Sequence, residues 1–215
     1  MKSFIEFISE DRVNDTRKTQ VATTGGTYRK TGEFLKDKLG SNSKVLSVGA
    51  GLDQTREGLR AGLGQGHEVH DMEPNPEGRK VQPEYTESSQ IPHDHYNAVV
   101  SHNVLNVVEP HVREHVMHSI FNSVKEGGHV VIGTRKWTRD IEANKNFEPG
   151  EEEKSMWVKK GGATSYQKGF DGNELKDYVE GYAKRHGHQV EVKRVPLAAN
   201  GVHIRVIKKA PRNAT

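Results

Sequence analysis

The chain has 215 residues, 32% hydrophobic and 28% charged, with a formal net charge of +3 at pH 7. That length suits one domain with a single sizeable core, and the mildly positive balance permits an anionic partner without demanding one. There is no cysteine, which excludes disulfides, thiolate metal sites and cysteine nucleophiles, and no apolar run is long enough to span a bilayer.

In chain order, Met1 to Glu10 reads as a short amphipathic segment with Phe4, Ile5, Phe7 and Ile8 on one side. It lacks the apolar core and small-residue cleavage site of a secretory signal, so the cytoplasm is the expected compartment. Asp11 to Thr31 is polar, carries Gly25-Gly26 and reads as an arm or loop. Residues 1–32 are therefore set apart from a domain over 33–210, with a tail at 211–215. Glu33 to Leu39 is predicted to be a short helix closed by Gly40. Lys44 to Val48 is a β-run broken by Gly49-Ala50-Gly51, and Gln54 to Leu63 has helical spacing with Leu59 and Leu63 apolar. Glu68 to Met72 and Ala98 to Ser101 are further strands, the second preceded by the turn-rich Pro92-His93-Asp94-His95. Pro110 is a good first helical residue, and Val112, Val116, Ile120 and Val124 form the apolar face behind it. Gly127-Gly128 ends that helix and His129 to Gly133 is the next strand. Trp137 to Lys168 is long, charged and weakly periodic; Gly172 to His186 then reads as a helix. Gln189 to Val195 and Val202 to Ile207 are two strands whose short connection predicts antiparallel pairing. Alternating strands and helices imply a parallel sheet with helices on both faces, closed by a hairpin.

The chemistry concentrates at Val45-Leu46-Ser47-Val48-Gly49-Ala50-Gly51-Leu52-Asp53, an apolar strand that runs into two glycines and a helix. Open parallel sheets bind ligands at the carboxyl ends of their strands, and glycines there let backbone approach a ligand without a Cβ in the way. The next strand ends in Asp71-Met72-Glu73-Pro74, where an acid can accept hydrogen bonds from both hydroxyls of a ribose; Glu73 is favoured because Pro74 ends the strand. A Gly-x-Gly alone is equally well a tight strand-helix turn. The acid at the neighbouring strand end, and the later run Tyr96 to Val108 leading to a helix and Gly127-Gly128, add to it.

Val45 to Gly133 resembles the core of class I S-adenosylmethionine-dependent methyltransferases, and the likeness covers most of the chain after Glu33. It implies an α/β, Rossmann-like fold with a mostly parallel seven-stranded sheet and a C-terminal antiparallel hairpin, binding S-adenosylmethionine. The implied cofactor residues are Ser47, Gly49, Ala50, Gly51, Asp53, Glu73 and Ser101, with Glu87 and Ser88 on the adenine side after a poorly marked third strand. Two positions depart from the pattern. Ser47 stands where the family usually has an acid, and Asp53 replaces the third glycine, as either a helix cap or a ligand contact.

Methyl transfer needs in-line alignment more than it needs acid–base chemistry, so no strong catalytic motif is expected. His102 and Asn103 follow the strand that faces the methyl group in this fold; His102 reads as a base, a substrate contact or a polar loop residue. No Asn/Asp-Pro-Pro-Tyr/Phe motif of amino-directed DNA methylation is present. Asn103 to Pro110, Arg113, Gly161 to Phe170 and Glu174 to Tyr178 are similar to methyltransferases associated with DNA phosphorothioation, including Tyr166-Gln167-Lys168 before a helix. Basic residues gather in the arm (Arg12, Arg17, Lys18, Arg29, Lys30) and the late loop (Lys154, Lys159, Lys160, Lys168), interleaved with Tyr28, Trp157 and Tyr166. That mixture suits phosphate contact and base stacking, and equally a solvated surface with the acids at 148–153 nearby. Arg29, Lys30, Tyr166, Gln167 and Lys168 are thus the candidate substrate residues, with nucleic acid the candidate acceptor. His93-Asp94-His95 lacks an evident third metal ligand, so no metal is expected.

Met1 to Glu10 resembles the capsid-targeting peptides of internal proteins of tailed phages, which end in a prohead protease site; here it would be Ile8-Ser9-Glu10. The resemblance implies a phage-encoded protein, found in the host cytoplasm or the virion interior, with capsid and prohead protease as partners. Two alternatives stay open. One is an enzyme with other chemistry on the same cofactor, such as its cleavage, suggested by Ser47. The other is a non-catalytic, capsid-packaged DNA-binding protein on a degenerate fold of this kind.

Overall fold

A computed structural model describes residue 14 and residues 25–138, 147–160 and 162–210. The proposed targeting peptide Met1 to Glu10 and the arm cations Arg12, Arg17 and Lys18 lie outside the described residues. The elements are α1 (Gly25–Lys36), β1 (Lys44–Val48), α2 (Asp53–Leu63), β2 (Glu68–Met72), β3 (Tyr96–His102), α3 (Pro110–Ser123) and β4 (Val124–Arg135). They continue with β5 (Phe147–Pro149), β6 (Ser155–Lys160), β7 (Ala163–Lys168), α4 (Gly172–Arg185), β8 (Gln189–Arg194) and β9 (Gly201–Lys209).

The main sheet runs in the order β2-β1-β3-β4-β9-β8. β2, β1, β3 and β4 are mutually parallel, and β9 returns antiparallel between β4 and β8. Side chains alternate across the pleat and build two cores. On one face Val99, Val130 and Ile132 meet Val116 and Ile120 of α3 and Leu175 and Val179 of α4. On the other, Val45, Val69, Ala98, Val100 and Val131 meet Tyr28 and Leu35 of α1 and Leu59 and Leu63 of α2. Each fully buried Val or Leu here contributes about 1.5–3 kcal/mol. Local signals agree with this packing: Pro110 opens α3, and Asp171 caps α4 by accepting from the amides of Asn173 and Glu174, both at 2.9 Å.

Three differences from the expected fold have physical causes. The helix expected at Glu33 begins at Gly25, inside the stretch read as a loop. Its glycines are contact points: a Cβ on Gly32 would sit 2.5 Å from the Leu59 carbonyl oxygen, and one on Gly62 would sit 2.1 Å from that of Arg29. α1 and α2 therefore touch backbone to backbone. The main sheet has six strands where seven were expected. The third strand shrinks to a single parallel bridge between Met72 and Tyr85, with Tyr85 N–H donating to Asp71 O at 3.1 Å and Glu73 N–H to Tyr85 O at 3.0 Å. Along the rest of that edge, Arg56 donates to the Val69 carbonyl at 2.9 Å and Glu84 accepts the Asp71 amide at 2.7 Å. Finally, the weakly periodic region after Trp137 contains a separate antiparallel sheet, β5-β6-β7, and Asn14 bridges to Thr164 on β7.

Candidate functional site

β1, β2 and β3 bring Ser47, Gly49, Ala50, Gly51, Glu73 and Ser101 to the same carboxyl edge of the sheet. After Val48 the chain turns in the left-handed region at Gly49 (φ 68°) and Gly51 (φ 63°), where a β-carbon is disfavoured. Gly49 and Ala50 donate to the Met72 carbonyl at 2.9 and 3.2 Å, which fastens the loop to the end of β2. A Cβ on Gly49 would strike Val104 at 2.3 Å, whereas one on Gly51 would meet nothing within 4 Å. The space beside Gly51 is open. Glu73, 4% exposed, reaches into this turn: its Oε2 accepts the Gly51 N–H at 2.7 Å and its Oε1 the Asn75 N–H at 3.0 Å. Burial pushes its carboxyl above the usual carboxylate range, against those two N–H donors and the nearby Arg79 charge. Ser47 is fully buried against Tyr28 of α1. Ser101 is buried with its hydroxyl unpartnered.

Asp53 is the first residue of α2 and makes no cap; Leu52 holds the cap position. Its carboxylate accepts the amides of Lys80 at 2.7 Å and Val81 at 3.3 Å, and the Lys80 amide holds it below the usual range. Those amides belong to the loop of residues 74–84, which replaces any helix between β2 and the vestigial third strand. The loop is pinned by Arg79, which the sequence reading did not single out. Its side chain is fully buried, paired with Asp71, and donates from Nη1 to Gly51 O at 2.7 Å and from Nε to Val81 O at 3.1 Å. Its only sequence signal is a lone arginine shortly after the strand-end acid. Glu87 and Ser88 follow Tyr85 after Thr86, with Glu87 at the cap position of the single turn Ser88–Gln90.

The structure corrects the reading of His102 as a base. The residue is 3% exposed; its Nε2 lies 2.8 Å from Thr31 Oγ1, and its ring packs edge-on against Tyr28 and His203. Burial pushes its pKa down to about 3, with His203 adding to the effect. It is a neutral side chain that ties α1 to the sheet and presents no nitrogen to a substrate. Asn103 is a turn residue in the left-handed region (φ 58°) whose amide donates to Gly133 O at 2.8 Å. On the opposite face, Asn106 and Thr134 are buried with an unpartnered Oδ1 and Oγ1. Neither was read from sequence, where each is an isolated polar residue.

The late substrate segment is also corrected. Tyr166 is fully buried in β7; its hydroxyl donates to Glu152 Oε2 at 2.8 Å and its ring lies edge-on to Trp157, itself buried. Lys168 is buried, 2.6 Å from Glu174 Oε1 and 2.8 Å from the Glu153 carbonyl. Neither can stack on a base or reach a phosphate. Gln167 is half-buried, opposite Met156. Glu152 also holds Arg113, and Asn14 donates to Val107 O and Glu109 Oε2, each at 2.9 Å, so this region is an internal polar brace. Tyr166→Phe should cost ~1.5–3 kcal/mol of stability, the worth of a hydrogen bond to a charged group, read as a lower urea midpoint. An unchanged midpoint would make the hydroxyl contact idle. Arg29 and Lys30 are exposed on α1, Arg29 pairing with Glu33 at 3.1 Å. Of the turn Pro92 to His95, Asp94 pairs with Lys208 at 2.8 Å and His95 contacts Lys44 at 3.3 Å. Among the described residues, no group of three or more His, Asp or Glu gathers around a metal position, and no helix is long and apolar enough to cross a membrane.

No protein-family model matches the chain, and no curated protein matches it in sequence. Solved structures do match in shape. An S-adenosylmethionine-dependent methyltransferase of Clostridium acetobutylicum aligns with a TM-score of 0.58 at 11% identity, over 90% of this chain and 94% of that one. The 1,6-didemethyltoxoflavin N1-methyltransferase of Burkholderia thailandensis, solved with S-adenosylhomocysteine, aligns at 0.56 and 16% identity, over 90% and 83%. A SAM-dependent methyltransferase of Aquifex aeolicus aligns at 0.54 and 13% identity, over 91% and 98%.

Proposed function

From a chain that has the class I S-adenosylmethionine-dependent methyltransferase fold, we propose that it binds S-adenosylmethionine at the carboxyl ends of β1, β2 and β3 and transfers its methyl group. The observation that carries the reading is Glu73, a buried carboxylate at the end of β2 beside an open glycine turn. Its two oxygens take backbone N–H donors at 2.7 and 3.0 Å, and a carboxylate oxygen accepts from more than one direction. The vicinal hydroxyls of a ribose supply two such donors. The residues fit the cofactor in a second way: the space beside Gly51 is open, and the Ser101 hydroxyl is buried without a partner.

When bound, the cofactor supplies an already activated methyl group on a sulfonium. The chain's own residues then bind and orient. Glu73 holds the ribose, the Gly49–Gly51 turn lets backbone approach, and α1 closes one side through Tyr28. With His102 buried and its pKa pushed down to about 3, it is too enclosed and too weak a base to take a proton from the acceptor, so an acceptor that is already nucleophilic at neutral pH suits the site.

Glu73→Ala should lower S-adenosylmethionine affinity at least about tenfold, from the loss of two charge-assisted hydrogen bonds. Calorimetric titration measures it; an unchanged dissociation constant in a folded variant moves the site elsewhere. Product analysis separates transfer from cleavage of the same cofactor, the reading that Ser47 suggests, since S-adenosylhomocysteine marks the first and methylthioadenosine the second. A nucleic-acid acceptor rests on the exposed Arg29 and Lys30, with Tyr166 and Lys168 withdrawn from it.

A further inference from the structure

We propose that Arg79 is a positioning residue of the cofactor site: it grips the carbonyl of Gly51, whose N–H is held by Glu73, and supplies the positive charge beside that acid. The inference rests on the proposed cofactor reading and adds to it a residue outside the glycine turn and the ribose acid. The geometry is specific. Gly51 is clamped on both sides of its Cα, with N–H to Glu73 Oε2 at 2.7 Å and C=O to Arg79 Nη1 at 2.7 Å. The same guanidinium pairs with Asp71, and its Nε donates to Val81 O at 3.1 Å with Asp53 Oδ1 at 3.7 Å. Arg79 thus joins three pieces of chain that would surround the ribose: the glycine turn and the loop after β2 through their carbonyls, and the end of β2 through the Asp71 carboxylate.

A fully buried guanidinium is costly to desolvate unless its partners compensate. A counter-ion for Asp71 alone would need one prong of the fork. Here a second prong is spent on Gly51, whose left-handed conformation keeps the space beside it open. Lysine carries the charge without the planar fork that matches these two contacts.

The charge has a separate consequence. Around Glu73 stand Asp71 on its own strand, Arg79 on the following loop and the Tyr28 hydroxyl from α1. Asp53 and Arg56 of α2, with Glu84, bear on it through Arg79 and Asp71. Of the two cations in this group, Arg79 bears on Glu73 and lowers its pKa, against the burial that raises it. Without that charge the acid takes up a proton at higher pH and loses its capacity to accept from two hydroxyls.

The experiment is calorimetric titration of S-adenosylmethionine into wild type, Arg79→Gln, Arg79→Lys, Glu73→Gln and the Arg79→Gln/Glu73→Gln double variant from pH 5 to 8.5, with thermal midpoints alongside. Wild-type affinity should fall on the acid side. In Arg79→Gln that falling limb should move to higher pH, the direction in which removing a nearby opposite charge acts. In Arg79→Lys the limb should stay in place while affinity drops by a similar factor at every pH. In Glu73→Gln the limb should vanish, and removing Arg79 as well should not restore or shift it. A loss in Arg79→Gln that is equal at every pH, or no loss, overturns the charge role. Wild-type affinity in Arg79→Lys overturns the grip on Gly51, and this variant carries the test if Arg79→Gln does not fold. Failure of wild type to bind at any pH is a distinct result that removes the cofactor reading and this inference together.

Discussion

A valine in place of Gly62 is expected to abolish stable folding or lower stability by at least ~3 kcal/mol, the upper end for overpacking a close contact. A Cβ at this position would stand 2.1 Å from the Arg29 carbonyl oxygen and 2.9 Å from Gly32 Cα. Both atoms are backbone, so no rotamer change relieves the clash; α1 must lift away from α2. Lifting it would open the core around Tyr28 and Leu35 and pull Thr31 from His102. The control is Gly40→Ala, where a Cβ meets nothing within 4 Å and the backbone is not left-handed. Urea denaturation compares the two: Gly62→Val should lose its cooperative transition or unfold far earlier, and Gly40→Ala should track wild type. Equal midpoints for Gly62→Val and wild type would show that α1 does not pack as described.

Acid should destabilise the fold as pH falls below the ordinary histidine range. His102 is held neutral by burial, with His203 beside it, and its pKa is pushed down to about 3; burial and Lys136 push His203 down to about 4. In the unfolded chain both titrate near the ordinary histidine value of about 6.5. Between the two values the unfolded state binds more protons, so stability is complete above about pH 6.5 and is lost as pH falls toward the folded values. Each histidine contributes about 1.4 kcal/mol per pH unit in that window, or roughly 4 kcal/mol for the pair at pH 5. Denaturation midpoints measured from pH 7.5 to 4.5 should fall steeply below 6.5, and His203→Gln should reduce the slope by about half. A flat profile down to pH 5 would contradict the buried, neutral pair.

The β-runs from Lys44 to Val48 and Glu68 to Met72 and the closing hairpin were legible because an apolar strand between breakers is a local pattern. So was the turn that brings Gly49 and Gly51 beside Glu73, because glycines and an acid at neighbouring strand ends are local patterns. What escaped depended on distant partners. Gly25 and Gly32 carry the same letter whether they break a helix or let one press against Gly58 and Gly62, and only the packed pair decides. Tyr166 and Lys168 have the residue types of a nucleic-acid surface, yet Glu152 and Glu174 draw them inward. His102 sits where a catalytic group would, but Thr31, Tyr28 and His203 reach it from far along the chain. Arg79 gave only the signal of a lone arginine after a strand-end acid, because two of its partners are backbone carbonyls and the others lie on other elements.

The shortened edge of the main sheet has a consequence for solubility. A terminal strand with unpaired N–H and C=O groups is a template for another chain, and β2 lost most of its neighbour when the third strand shrank to one bridge. Two of the outward groups such a template would offer are already taken by side chains: the Val69 carbonyl by Arg56 and the Asp71 amide by Glu84, the two side chains being paired with each other. An arginine and a glutamate thus stand in for the missing backbone, one as donor and one as acceptor, and they place charge where an incoming strand would have to lie. The sheet can end early at β2 without offering itself for edge-to-edge aggregation.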